Sequence, residues 1–373
     1  MDHVLHLRSL LSGRTFRPDE IDYVDPEFGP EGIVDVVYDY DLIGRRISRE
    51  SLRRDENHSI WRYRPLLPIE PDSPLPPLQI GWTPLYETPG LAASLGLRHL
   101  WVKDDGRNPT ASFKDRASAL VAARMRMVHQ HTVAAASTGN AGAATACMAA
   151  STGLRAIIFA PRTAPQAKVA QLLTYGARVI LVDGTYDQAF ELSLAASHTF
   201  GWYNRNTGYN PFTAEGKKTA AFEIWEQVLL TLPAGSEQLR IYIPVGDGNI
   251  LYGIHKGFLD LLSLGWIESL PILVGVQAEK SAAIANAFFA RADTIAPVRA
   301  ATLADSISVD QPRDGLRALN AVRESKGHYV TISDEEILQA IPQLGKAGIF
   351  AEPAAAAAYA GLRKDLREGR LNP

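Results

Sequence analysis

The chain has 373 residues, 46% of them hydrophobic and 21% charged, with a net charge of −3. That is ordinary globular composition, long enough for about two domains, and it carries no basic excess that would point to nucleic acid or to an acidic membrane surface. The single cysteine, Cys147, excludes an internal disulfide and fits a reducing compartment, so the chain reads as a cytoplasmic protein.

The N-terminus MDHVLHLRSLLSGR is too polar and short for a signal peptide, and no apolar stretch is long enough to span a membrane. Residues 1–80 read as irregular and rich in Pro, Arg and Asp, and RPLLPIEPDSPLPPLQIGWTPLYETPG reads as an extended arm, because proline removes backbone donors and forbids helix. Regular alternation begins near Leu97. LRHLWVKDD predicts a strand, SFKDRASALVAARMRMVHQH a helix, TVAAAS a strand, NAGAATACMAAST a helix and LRAIIFAP a strand. TAPQAKVAQLLTYGA predicts a helix, RVILVDG a strand and TYDQAFELSLAASHTFG a helix. Further on come a strand in EQLRIYIPVG, a helix in GIHKGFLDLLSLG and a strand in PILVGVQAE. Strands alternating with helices of this length predict an α/β fold with parallel sheets flanked by crossover helices. In EPAAAAAYAGLRKDL, Pro353 marks a helix start and the alanines predict close packing against a neighbour.

Three turns carry chemistry. NPTASFKDR sets Lys114 just inside a helix start. STGNAG, Ser137 to Gly142, follows a predicted strand directly. PVGDGNI, Pro244 to Ile250, joins a strand to a helix. Ligands in open parallel sheets bind beyond the carboxyl ends of strands, and a glycine turn at a helix N-terminus offers N–H groups and a positive dipole to an anion. Gly246, Asp247, Gly248 and Asn249 are therefore a candidate phosphate cradle. Each turn alone is also explained by the steric needs of a short βα loop.

In combination, NPTxSFKDR, STGNAG, VGDGN and GIFAEPA, from about Gly81 to Arg370, resemble the threonine-synthase branch of the fold type II pyridoxal-phosphate-dependent enzymes. The resemblance implies a two-domain fold, with a large cofactor-binding domain made from residues 81–126 and 211–373 and a small domain at 127–210. It implies that Lys114 holds pyridoxal 5'-phosphate covalently and moves protons, and that Asn140 hydrogen-bonds the cofactor's 3′-oxygen. Gly246, Asp247, Gly248 and Asn249 would hold the cofactor phosphate, and Ser137 and Thr138 the substrate carboxylate. A buried lysine suits both nucleophile and base, because burial lowers its pKa. The implied partner is a small amino-acid substrate, and the implied assembly a homodimer.

The sequence departs from that family in three places. Ser9, Ser12, Asp25 and Phe28 stand at the C-x2-C and C-x2-C positions of a zinc ribbon, so residues 1–35 read as a ribbon-like remnant without metal, joined by an arm at 36–80. Apolar packing by Phe28 and Leu11 is the expected replacement for zinc. Thr213 occupies the place where many threonine synthases carry an arginine that contacts the substrate phosphate, and Lys217 and Lys218 read as alternatives for that role or as a surface pair. The family's Thr-Gly-x-Gly-Leu-Lys turn, which faces the pyridine nitrogen, is not met before Pro373. The resemblance implies a lyase or synthase converting O-phosphohomoserine to threonine and phosphate. The alternatives are β-elimination or β-replacement on a serine- or threonine-like substrate, or a pseudoenzyme that keeps the scaffold.

Overall fold

The computed structural model describes residues 1–137, 139–232 and 238–371. In chain order its elements begin with β1 (Val4–Ser9), β2 (Thr15–Phe16), β3 (Val34–Tyr38), α1 (Tyr40–Arg46) and α2 (Arg49–Arg54). Next come β4 (Leu85–Glu87), α3 (Pro89–Ser94), β5 (Trp101–Lys103), α4 (Lys114–Met127), β6 (Thr132–Ala136) and α5 (Asn140–Thr152). They are followed by β7 (Arg155–Pro161), α6 (Gln166–Thr174), β8 (Arg178–Val182), α7 (Tyr186–Phe200), β9 (Tyr203–Asn204), α8 (Phe212–Lys217) and α9 (Thr219–Ile224). The remainder is β10 (Arg240–Pro244), α10 (Asn249–Ser263), β11 (Ile272–Ala278), α11 (Ala283–Phe289), α12 (Gly315–Glu324), β12 (His328–Ile332), α13 (Asp334–Lys346) and α14 (Pro353–Arg367). By packing, the chain forms two compact units, one of residues 1–82 and 107–219, the other of 83–106 and 220–373. The helix carrying Lys114 and the segment 211–219 thus pack in the first unit.

The first unit is built on a parallel sheet of order β8-β7-β6-β9. Central strand β6 is buried along its whole length, and its side chains alternate between two cores. Val133 and Ala135 face Val121 and Met125 of α4 and the alanines of α5, while Ala134 and Ala136 face Phe190 of α7. Small residues on both faces let helices close on the strand from both sides.

The first 80 residues are more ordered than their composition suggests. Strands β1, β2 and β3 form an antiparallel sheet of order β2-β1-β3, and two short helices follow, α1 capped by Asp39 and α2 by Ser48. At the ribbon positions, Ser12 Oγ donates to the Asp25 carboxylate at 2.7 Å, and Ser9 Oγ accepts the Ser12 N–H at 3.3 Å. Asp25 itself is fully buried. Phe28 and Leu11, expected to fill the place of a metal, are instead 37% and 45% exposed. A hydrogen-bonded polar cluster occupies the site because serine and aspartate, unlike phenylalanine, can satisfy the backbone groups of the two turns.

The second unit holds the parallel sheet β10-β11-β12 and the antiparallel pair β4-β5. Helix α14, with Pro353 in its first turn, lies so close to β11 that a Cβ on Gly361 would meet Val276 at 2.5 Å. Its alanine run serves this approach, as the sequence predicts. Among the described residues no helix is long and apolar enough to cross a membrane.

Candidate cofactor site

The lysine turn in the first unit is held at every neighbour of Lys114. Asn108 O accepts the Ala111 N–H at 2.8 Å, and Asn108 Oδ1 accepts the Gly81 N–H at 2.9 Å. Asp115, fully buried, accepts the Thr110 N–H and the Thr110 hydroxyl, both at 2.8 Å. Ser112 Oγ accepts the Lys114 N–H at 3.3 Å. Arg116 is also fully buried; it lies 5.4 Å from the centre of the Phe113 ring and donates to Thr219 Oγ1 at 3.0 Å. The motif SFKDR is thus a pedestal. The residues around Lys114 spend their polar groups on fixing the first turn of α4, and Lys114 stands on it half-buried. Ala111 reaches the pedestal with a left-handed backbone, φ +55°.

The second turn leaves the carboxyl end of β6. Ser137 N–H donates to Phe159 O at 3.0 Å, and Ser137 Oγ accepts the Gly139 N–H at 3.2 Å. Asn140 opens α5, whose N-cap is Gly139. Gly142 is required, since a Cβ there would come within 2.7 Å of Ser137 O. Thr138 lies outside the described residues. Behind the turn, Asn206 holds the strand end: its Oδ1 accepts the Ala136 N–H and its Nδ2 donates to Ser193 Oγ, both at 2.7 Å.

The third turn, in the second unit, joins β10 to α10. Gly248 is left-handed at φ +95°, and a Cβ on it would meet Ala318 Cβ at 2.7 Å and Asp314 O at 2.8 Å. A Cβ on Gly246 would meet Ile307 Cα at 3.0 Å. The start of α10 has no side-chain cap. The Asp247 carboxylate accepts the Arg313 N–H at 3.2 Å, and the Asn249 side-chain amide donates to Asp314. Both side chains are therefore engaged behind the turn, and what the turn offers an anion is its backbone N–H groups at the positive end of a fifteen-residue helix. This donor set fits a phosphate monoester.

The segment after β9 corrects one expectation. Lys217 and Lys218 are not a surface pair; both are fully buried. Lys218 pairs with Glu215 at 2.5 Å and stands 4.1 Å from the centre of the Tyr38 ring, so its charge is spent inside the first unit. Thr213 is also fully buried and donates its hydroxyl to Asn210 O at 2.8 Å. Sequence reasoning does not single out Asp115, Arg116, Asn206 or Asp314 as supports. The Asp-Arg that follows Lys114 carries the only local signal for them.

Residues 77–373 match the family model described as pyridoxal-phosphate dependent enzyme. The chain belongs to that family. It is 38% identical over 368 residues to a threonine synthase of Methanocaldococcus jannaschii, covering 98% of this chain and 88% of that protein. It is likewise 38% identical over 362 residues to a threonine synthase of Methanosarcina acetivorans, covering 96% and 86%. In three dimensions it is similar to the processed form of threonine deaminase isoform 2 from Solanum lycopersicum, with a TM-score of 0.65, 21% identity and coverage of 78% of this chain and 76% of that one. It is similar to diaminopropionate ammonia lyase from Escherichia coli, with a TM-score of 0.66, 22% identity and coverage of 78% and 81%. These structural neighbours share the fold type II architecture. The family is pyridoxal-phosphate dependent.

Proposed function

We propose that the protein is a threonine synthase-type lyase, converting O-phosphohomoserine and water to threonine and phosphate. The observation that carries this reading is the similarity along nearly the whole chain to the threonine synthases of Methanocaldococcus jannaschii and Methanosarcina acetivorans, together with an intact Lys114 pedestal. Bound pyridoxal phosphate supplies an electron sink for the substrate's α-carbon. Lys114 holds the cofactor covalently and, once released by substrate, takes and returns protons through its Nζ. The pedestal limits where that amine can reach. Asn140 is assigned to the cofactor's 3′-oxygen, which a neutral amide can orient without adding charge. Ser137 and Thr138 are assigned to the substrate carboxylate, a reading supported by their hydroxyls and by their place at the N-terminal end of α5. The N–H groups of Gly246, Asp247, Gly248 and Asn249 are assigned to the cofactor phosphate.

In the same reading residues 81–126 and 211–373 serve as the cofactor domain, 127–210 as the small domain, and 1–35 as a metal-free ribbon followed by an arm at 36–80. The protein works as a homodimer in the cytoplasm, a reading that rests on family likeness and on the single cysteine.

A second reading, β-elimination or β-replacement on a serine- or threonine-like substrate, is favoured by one observation. The buried Thr213 offers a neutral hydroxyl, already bonded to Asn210 O, where the family resemblance expects an arginine for a distal phosphate. The test is product analysis of the cofactor-loaded protein. Threonine and phosphate in equal amounts from O-phosphohomoserine support the first reading. Oxoacid and ammonia from serine or threonine, with no phosphate released from O-phosphohomoserine, support the second. No product from any of them supports a pseudoenzyme.

A further inference from the structure

Residues 247–249 of the turn are backed by the segment 313–318 of the second unit. Asp314, just before α12, is fully buried. Its N–H donates to Asp247 O at 3.0 Å, and its carboxylate accepts the side-chain amide of Asn249. The same carboxylate accepts Arg317 Nε at 2.5 Å and Arg317 Nη2 at 2.9 Å. Arg317 is buried as well, and its guanidinium lies 4.1 Å from the centre of the Tyr252 ring, in the first turn of α10. One residue earlier, the Arg313 N–H donates to the Asp247 carboxylate. Gly248 has no side chain, and Asp314 O and Ala318 fill the space that one would take. Three consecutive residues of the turn therefore rest on residues 313–318.

A buried ion pair is a poor source of net stability, because desolvation offsets most of its attraction. Two effects follow from the placement of this one. Asp314 reaches both sides of Gly248, through Asp247 O and through the Asn249 side chain, and so fixes the peptide groups of the turn. The forked contact from Arg317 neutralises Asp314, so the support adds no bare negative charge behind a site for a dianion.

We propose that Asp314, locked by Arg317, is the positioning residue of the cofactor-phosphate cradle. It does not touch the cofactor; it sets the turn that does. This inference rests on the cofactor reading above, and the experiment separates the two.

Apo-protein is titrated with pyridoxal phosphate and, separately, with pyridoxal, which has the same aldehyde and ring but no phosphate. Binding is followed by visible absorbance and by quenching of tryptophan fluorescence. Asp314→Asn is expected to weaken pyridoxal phosphate by about tenfold or more, the scale of one charge-assisted hydrogen bond, and to leave pyridoxal unchanged. If Asp314→Asn does not fold, the double variant Asp314→Asn with Arg317→Gln, which leaves no unpaired arginine, is expected to show the same split. Equal weakening of both ligands, or no change in either, would overturn the inference. Unaltered protein that binds no pyridoxal phosphate would overturn the cofactor reading, and this inference with it.

Discussion

Tyr38 donates its hydroxyl to the Glu215 carboxylate at 2.6 Å across 177 residues of chain. The same carboxylate carries Lys218, whose ammonium lies over the Tyr38 ring, so the last strand of the N-terminal sheet closes over a buried ion pair. The N-terminal module is thereby part of the packing of α8. Tyr38→Phe keeps the ring beneath Lys218 and removes one hydrogen bond to a buried charge. A loss of about 1.5–3 kcal/mol is expected, read as a lower urea midpoint with unchanged slope. A midpoint equal to that of the unaltered protein would show that this bond does not contribute.

Gly248→Ala tests the cradle itself. The new methyl meets Asp314 O and Ala318 inside 3 Å, at a left-handed backbone that disfavours any side chain. The turn must shift, at a cost of about 1–3 kcal/mol. Weaker pyridoxal phosphate binding in a folded protein is the expected outcome of an equilibrium titration. Undiminished affinity would place the phosphate elsewhere.

The metal-free reading of the N-terminal module has a chemical and a pH test. Protein purified without chelator should contain no stoichiometric zinc, checked by elemental analysis. Burial alone would raise the Asp25 carboxyl's pKa, but hydrogen bonds from Ser12, Ser9 and the Glu27 N–H outweigh it and hold the group below its ordinary range. With a folded value below the unfolded one, its contribution is full above about pH 4 and is lost as pH falls below that. Asp25→Asn should therefore be less stable than the unaltered protein at neutral pH, and the two should converge in acid. Parallel stability curves across that range would remove the carboxylate from the account.

Ala111 holds a left-handed conformation at the exposed edge of the lysine turn. That costs an alanine about 1–2 kcal/mol, against roughly 0.5–1 kcal/mol for the extra chain freedom of glycine. Ala111→Gly should raise the urea midpoint slightly and leave cofactor binding intact. A lowered midpoint would mean that the strain is compensated by contacts of the methyl group.

Much of the alternating architecture is legible in the sequence. NAGAATACMAAST is α5 to the residue, and TYDQAFELSLAASHTFG contains α7 with one residue spare at each end. Both helices carry local signals, a glycine just past the end and, for α7, the Thr185–Gln188 capping box. Strands β1 and β3 are not legible, because Ser9 pairs with Val34 across a long polar loop and the pattern between them is broken by proline and glycine. The sequence pattern puts the start of α10 at Gly253 although it lies at Asn249, because its N-cap is the left-handed Gly248 rather than a side-chain acceptor. Buried Arg116, Lys217 and Lys218 are invisible in principle: a charged residue in a sequence reads as exposed until a partner distant in the chain is brought to it. The three chemical turns can be read because each joins a predicted strand or helix. A support such as Asp314 beneath Asn249 is 65 residues away and is set by the tertiary fold alone.

The central claim is that Lys114 is the cofactor lysine. Protein loaded with pyridoxal phosphate is reduced with borohydride, digested and mapped by mass spectrometry, beside a Lys114→Ala variant shown to be folded by circular dichroism. One cofactor adduct per chain is expected on the peptide containing Ser112–Arg116, with visible absorbance that disappears on reduction, and neither feature in the variant. An adduct on another lysine, or the same visible band and adduct in Lys114→Ala, would contradict it.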